Sequence, residues 1–123
     1  MIAGTVTANR EAIVQLTVQS PVGVSADLEF VVDTGFTEQV TLPFSWVQSL
    51  ALPHVDTAQM DLADGTAIQV DVYEATVTWD GRNRPVLVHC IEGAPLIGML
   101  LLYDHLLNAH VVNGGPITIT AVP

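Results

Sequence analysis

Phe30-Val31-Val32-Asp33-Thr34-Gly35 is an apolar run that ends on an acidic residue with no cationic neighbour in sequence. Taken alone, Asp33-Thr34-Gly35 reads as a strand entering a turn, with the Asp carboxylate capping backbone N–H groups and the glycine free to take positive φ. What gives the triplet a second meaning lies about sixty residues further on, in a second apolar strand end at Leu96-Ile97-Gly98. Both segments are followed by stretches of short-helix character, so an apolar-strand, glycine, helix arrangement occurs twice, and only the first copy carries an acid.

On the N-terminal side of the first copy the chain alternates from Thr5 to Gln19, with Val14, Leu16 and Val18 separated by polar residues. That period of two predicts a hairpin of half-buried strands turning at Asn9 to Glu11. Ser20-Pro21-Val22-Gly23 breaks it, and Ala26 to Val32 is the strand that delivers Asp33. Beyond Gly35 a short extended piece, Gln39 to Leu42, leads to Pro43, which is suited to the first position of a short helix that Leu50-Ala51-Leu52-Pro53 must end. Asp64-Gly65 marks a hairpin tip within Met60 to Ile68. On its return strand the apolar phase flips, from Ile68, Val70 and Val72 to Tyr73, Ala75, Val77 and Trp79, which predicts a bulge or bend near Val72-Tyr73. Asp80-Gly81 turns the chain again, and Pro85 to Cys90 returns with Val86, Val88 and Cys90 on one face. After the Ile91 to Pro95 loop and Leu96-Ile97-Gly98, helix propensity is highest over Met99 to Leu107. Ala109 to Val112, a turn at Asn113-Gly114-Gly115, and Pro116 to Ala121 predict two closing strands. The expected class is all-β, a closed barrel or sandwich of short strands with one or two short helices, and residues 1–123 read as one domain.

Composition narrows the function. Three basic residues against 13 acidic ones give a formal charge of −10, so no basic surface for nucleic acid or an anionic membrane can be assembled. Half of the residues are hydrophobic and the mean hydropathy is +0.46, which for a chain of this size predicts apolar surface buried between subunits. Cys90 is the only cysteine, which rules out an intrachain disulfide and a thiolate metal cluster and leaves a buried apolar role as its default. There is no basic n-region and no apolar run of about 18 residues, so the expectation is a soluble, cytoplasmic protein.

The order apolar strand, Asp33-Thr34-Gly35, hairpin tip at Asp64-Gly65, long strands, Leu96-Ile97-Gly98 and helix resembles the retropepsin-type aspartic proteases from about Leu28 to Leu107. The segment Leu62-Ala63-Asp64-Gly65 is similar to one shared by compact bacterial members of that clan. The resemblance implies a retropepsin-like fold and a homodimeric endopeptidase that hydrolyses peptides or proteins without a cofactor. In that scheme Asp33 and its symmetry mate form the catalytic pair, Thr34 bonds across the two-fold axis, and Gly35 admits the substrate backbone. Leu62, Ala63, Asp64, Gly65 and Thr66 form a flap over the substrate, and Leu96, Ile97 and Gly98 support the loops. Physical chemistry gives the reason for a dimer: two carboxylates sharing one proton are needed, and this chain offers one. Phe36 replaces the small residue usual after the triplet, which implies a narrower floor. Gly65 as the sole glycine of the tip implies a stiffer flap, and Glu38 close by would favour the singly protonated pair.

Other candidates carry less. His54, His89, His105 and His110 lack the spacing of a zinc helix and read as surface or core histidines. Asp61 and Asp64 miss the acidic alternation of a calcium loop, and no metal site is expected. Ser45 and Ser49 have no nucleophile-elbow setting, and Trp46 and Trp79 read as core or interface anchors. Two alternatives stay open: a catalytically silent dimer that binds peptides in the same cleft, and a scaffold protein that uses its apolar surface for assembly.

Overall fold

The computed structural model describes every residue from Met1 to Pro123. Its alternating segments become strands that pair in a continuous ladder: β1 (Ile2–Val6), β2 (Ala12–Gln19), β3 (Ser25–Val32), β4 (Val40–Leu42), β5 (His54–Asp61), β6 (Ala67–Trp79), β7 (Arg82–Cys90), β8 (Leu96–Ile97), β9 (His105–Ala109) and β10 (Pro116–Ala121). Two helices interrupt them, α1 (Phe44–Ser49) and α2 (Met99–Leu102). The strand order is β5-β6-β7-β4-β8-β3-β2-β1-β10-β9, and β6 also pairs with β2 through Val18–Val77 and Gln19–Thr76. That second pairing closes β2, β3, β8, β4, β7 and β6 into a six-stranded barrel. The β5–β6 hairpin extends from one side of the ring, and β1, β10 and β9 continue the sheet from the other.

The apolar residues of each alternation fill the barrel. Val14, Leu16 and Val18 of β2 face Leu28 and Phe30 of β3, and Val77, Val88, Ile97, Ile117 and Ile119 join them in one cluster of 22 buried residues. Phe30 and Ile97 are fully buried, so the core pulls β3 and β8 inward immediately before Asp33 and Gly98. Burying each such side chain is worth about 1.5–3 kcal/mol, which makes these two strand ends rigid supports.

Four expectations need correction. The long helix over Met99 to Leu107 is only one turn: Tyr103 leaves it with ψ 140° and Asp104 takes φ 65°. His105–Ala109 instead pairs with β10, placing Leu107 and Ala109 against the core while Leu106 is 60% exposed. A full ladder and a buried alternate face outweigh helix propensity, which is a weak prior. The last strand before the final turn also ends at Ala109, so Val111 and Val112 sit exposed in the turn. The bulge lies on the other strand of the hairpin. β6 pairs with β7 without a break from Val72–His89 to Trp79–Arg82, while the register of β5 slips at Val55, between the His54–Tyr73 and Asp56–Val72 pairs. The phase flip itself is real, with Val70 and Val72 buried on one face and Ala75, Val77 and Trp79 on the other. Pro43 stands one residue ahead of its expected place, at the N-cap of α1.

Because Ile119 is fully buried and reaches the shared core from the C-terminal hairpin, Ile119→Ala should cost about 2–5 kcal/mol. Urea unfolding followed by circular dichroism reads this cost; a loss under 1 kcal/mol would mean that β10 is not part of that core.

Candidate active site

Asp33 stands one residue beyond β3, and β8 determines where. The two-residue strand β8 lies between β3, to which it is parallel (Val31–Leu96, Val32–Ile97), and β4, to which it is antiparallel (Val40–Ile97, Thr41–Leu96). The loop from Asp33 to Gln39 therefore leaves and re-enters the sheet on either side of the same two residues. The Asp33 N–H donates to the Ile97 carbonyl at 2.9 Å, and the Gly98 N–H donates to the Gln39 carbonyl at 2.8 Å. The first N–H groups of α2, orphaned in any helix, also find partners in the loop: Met99 donates to the Phe36 carbonyl at 2.8 Å and Leu100 to the Glu38 carbonyl at 3.3 Å. Buried Thr41 adds its hydroxyl, which accepts from the Leu96 N–H at 3.0 Å.

Gly98 is required here for space. A β-carbon at this position would overlap the Glu38 carbonyl oxygen and would stand 2.5 Å from the Phe36 ring edge and 2.8 Å from the Phe36 carbonyl oxygen. Leu96, Ile97 and Gly98 thus clamp the Asp33 loop backbone to backbone.

Within the loop the Asp33 carboxylate accepts from the Gly35 N–H at 2.9 Å, and the Phe36 N–H donates to the Asp33 carbonyl at 3.2 Å. These bonds form the turn that the triplet predicts on its own, and they hold one carboxylate oxygen in place. Asp33 is half-buried, whereas Thr34 and Gly35 are exposed. Phe36 turns inward, 8% exposed, and meets the edge of the His89 ring at 6.0 Å between centroids.

The β5–β6 hairpin brings the second group of residues. Leu62 donates to the Thr66 carbonyl at 2.7 Å, Gly65 donates to the Leu62 carbonyl at 3.0 Å, and Gly65 takes φ 87°. Asp64 accepts from both the N–H (2.9 Å) and the hydroxyl (2.6 Å) of Thr66, and these bonds hold its carboxyl below the usual range. Leu62, Ala63, Asp64, Gly65 and Thr66 are all exposed. The part of β5 that leads into the tip approaches the Asp33 loop: Ala58, Gln59, Met60 and Asp61 enclose a cavity of about 320 Å³ with Gly35, Phe36, Thr37, Glu38 and His89.

His89 is the residue that sequence reading misses. Alternation along β7 puts Val86 and Val88 in the core and should leave His89 facing water, yet it is 5% exposed and its Nδ1 has no hydrogen-bond partner. It pairs with Val72 and so belongs with Phe36, Val70 and Val72 to a second covered face outside the main core. The phase flip in β6 was the signal for that face. Burial pushes the His89 pKa below the ordinary 6.5, and the charge of Glu38 pulls against it. Elsewhere, burial pushes the Cys90 thiol up, with Glu92 and Asp71 adding to the shift, an environment unsuited to a nucleophile. Trp79 is a core residue that donates to His105 at 3.0 Å, whereas Trp46 is 37% exposed. No three His, Cys, Asp or Glu side chains gather as a metal site, and no helix is long and apolar enough to cross a membrane.

A six-stranded barrel with an acidic triplet at one strand end, clamped by an apolar-apolar-glycine strand, and a projecting hairpin decide the comparison. The fold is retropepsin-like. A retropepsin-like aspartic protease from Rickettsia conorii superposes with a TM-score of 0.62 at 18% identity, covering 99% of this chain and 91% of that one. EIAV protease, solved with the inhibitor HBY-793, superposes with a TM-score of 0.57 at 17% identity, covering 79% of this chain and 89% of that one. No protein-family model matches the sequence, and no curated protein matches it.

Two outcomes follow from the retropepsin-like geometry of this chain. Gly98→Ala must push the Asp33 loop off its clamp and should cost about 3 kcal/mol or more, with altered amide chemical shifts at Asp33 and Gly35. His89, whose folded pKa lies below its unfolded value of 6.5, takes up protons more readily when unfolded. Stability is therefore full above pH 6.5 and falls as pH drops from there towards the folded pKa. The urea midpoint of the wild type should fall relative to that of His89→Gln across this window; parallel profiles would remove His89 as the cause.

Proposed function

We propose that this protein is a homodimeric aspartic endopeptidase in which Asp33 and its symmetry mate activate a water molecule. The observation that carries the reading is one acidic triplet, Asp33-Thr34-Gly35, partly open to solvent at a clamped strand end, with Gly35 sharing a cavity with the end of β5 in a projecting hairpin. The retropepsin-like fold supports it, as does the name protease on both neighbouring structures. Phosphoryl transfer and metal hydrolysis find no matching residues, while peptide hydrolysis by a carboxylate pair needs only a second Asp33.

Charge and exposure support the dimer. One carboxylate cannot serve as both base and acid in the same step, and a second copy supplies the other. Thr34 and Gly35 are exposed, and α2 places Met99 and Leu100, 45% and 46% exposed, on residues whose N–H groups bond the Asp33 loop. An apolar surface beside the triplet is what an interface between two such loops requires.

In the reaction the pair holds one proton. The ionised member takes a proton from the water, whose oxygen attacks the peptide carbonyl carbon. The protonated member donates a hydrogen bond to the carbonyl oxygen as it becomes an oxyanion. Collapse breaks the carbon–nitrogen bond, and a carboxylic proton passes to the leaving amine. Gly35 leaves room for the substrate backbone, the Leu62–Thr66 tip covers it and excludes water, and the Leu96–Gly98 clamp keeps each Asp33 from drifting.

Asp33→Asn should preserve the fold and reduce peptide cleavage by a thousandfold or more, on the order of the contribution of a general acid–base group. Digestion of a peptide library across acidic to neutral pH measures this; equal cleavage by both proteins would acquit Asp33. Analytical ultracentrifugation should show a dimer at the concentrations at which cleavage occurs, and an active monomer would exclude the paired mechanism.

A further inference from the structure

The cavity between the Asp33 loop and the end of β5 has a chemistry that a peptide-cleaving cleft does not by itself explain. Two acidic residues line it, Glu38 from the loop and Asp61 from β5, and no Lys or Arg does. Neither makes an ion pair; the chain's only carboxylate contacts with cationic groups are Met1 N-terminus to Asp80 and His54 to Asp71. The three arginines are engaged or distant. Arg84 donates to the Leu101 carbonyl at 3.1 Å and lies over the Trp79 ring, Arg82 pairs with Trp79 at the start of β7, and Arg10 sits in the β1–β2 turn. His89 lines the same cavity, more than nine-tenths buried, with Nδ1 lacking any partner. A buried polar atom in a native structure is nearly always satisfied, so the unpartnered imidazole makes this wall polar and suits a hydrogen-bonding side chain better than an aliphatic one.

We propose that this cavity is a specificity subsite for a cationic side chain, lysine or arginine, of a peptide bound in the cleft, with Glu38 and Asp61 as its counter-charges. The inference rests on the endopeptidase reading for its substrate, a peptide, but not for its chemistry. An ammonium or guanidinium head brings three to five N–H donors, enough to meet two carboxylates. Glu38 comes from the Asp33 loop and Asp61 from β5, so a side chain that meets both touches the loop and the hairpin. His89 does not compete, because burial disfavours its own positive charge. A volume of about 320 Å³ accepts a long side chain with its first waters. The formal charge of −10 draws the same cationic peptides towards the protein over longer range. A carboxylate side chain would meet two like charges there, and an aliphatic one would leave both acids and the imidazole without partners.

The experiment uses the full-length protein and a peptide series in which one position at a time near the cut site carries Lys, Arg, Met, Gln or Glu. At one position Lys and Arg should raise kcat/KM about tenfold or more over Met, and Glu should lower it. In Glu38→Gln, and separately in Asp61→Asn, that Lys-over-Met ratio should shrink several-fold, and added salt should shrink it in the wild type. Equal cleavage of Lys and Met peptides at every position, or a preference that survives both substitutions, would overturn the subsite while leaving the endopeptidase reading intact. If no peptide is cut, that reading fails and the subsite is judged by fluorescence anisotropy with the same peptides. Tighter binding of Lys than Met peptides that depends on Glu38 would support it, and equal affinities would overturn it.

Discussion

The constraint on which the candidate site depends is the close approach of two backbones at Gly98. The Asp33 loop has no core of its own, since Thr34, Gly35 and Thr37 are exposed. It is fixed because β8 threads between its two ends and because Gly98 lacks the side chain that would push Phe36 and Glu38 away. Everything proposed for the carboxylate depends on that contact: its position at the strand end, the bond from Gly35, and the inward turn of Phe36 that forms one wall of the acidic cavity. Backbone hydrogen bonds contribute only about 0.5–1.5 kcal/mol each, but several of them on one short loop, anchored by fully buried Ile97, leave it little freedom.

Most of the fold was legible because it is written in alternation. Val14, Leu16 and Val18 can only be one face of a strand, and Asp64-Gly65 and Asp80-Gly81 can only be turns between strands, so the ladder from β2 to β7 follows from period and punctuation. The misreading at Met99 to Leu107 has a definite source. Leu-rich runs favour helix locally, and the competing claim on residues 105–109 comes from β10, which forms the ladder only after the chain has turned back at Gly114. Closure of the barrel was equally invisible, because Val18 and Val77 meet across 59 residues with no local mark of that pairing.

The site was half legible. Asp33 and Gly98 are conspicuous as strand ends, and the structure brings them to one place. His89 was not, since a histidine between Val88 and Cys90 reads as solvent-facing and becomes buried only because β7 is covered on both sides here. The change of phase at Val72 recorded that double covering, but in a strand 17 residues away from His89. Residues joined by β6–β7 pairing, and not by sequence, set the polarity of the cavity.

β6 is a single strand with two employments. Its far half, from Ala75 to Trp79, is pinned in the barrel wall by β7, with β2 joining at Thr76 and Val77, while its near half carries the exposed hairpin tip. Mechanically it is a cantilever, and its root is the segment where β5 slips register at Val55. The glycine at the tip controls only the last few residues, whereas a small rotation at the root swings Asp61 and Met60 across the cavity mouth. In such a lever the position of Asp61 and Met60 is set at the root, and stiffness is inherited from the wall.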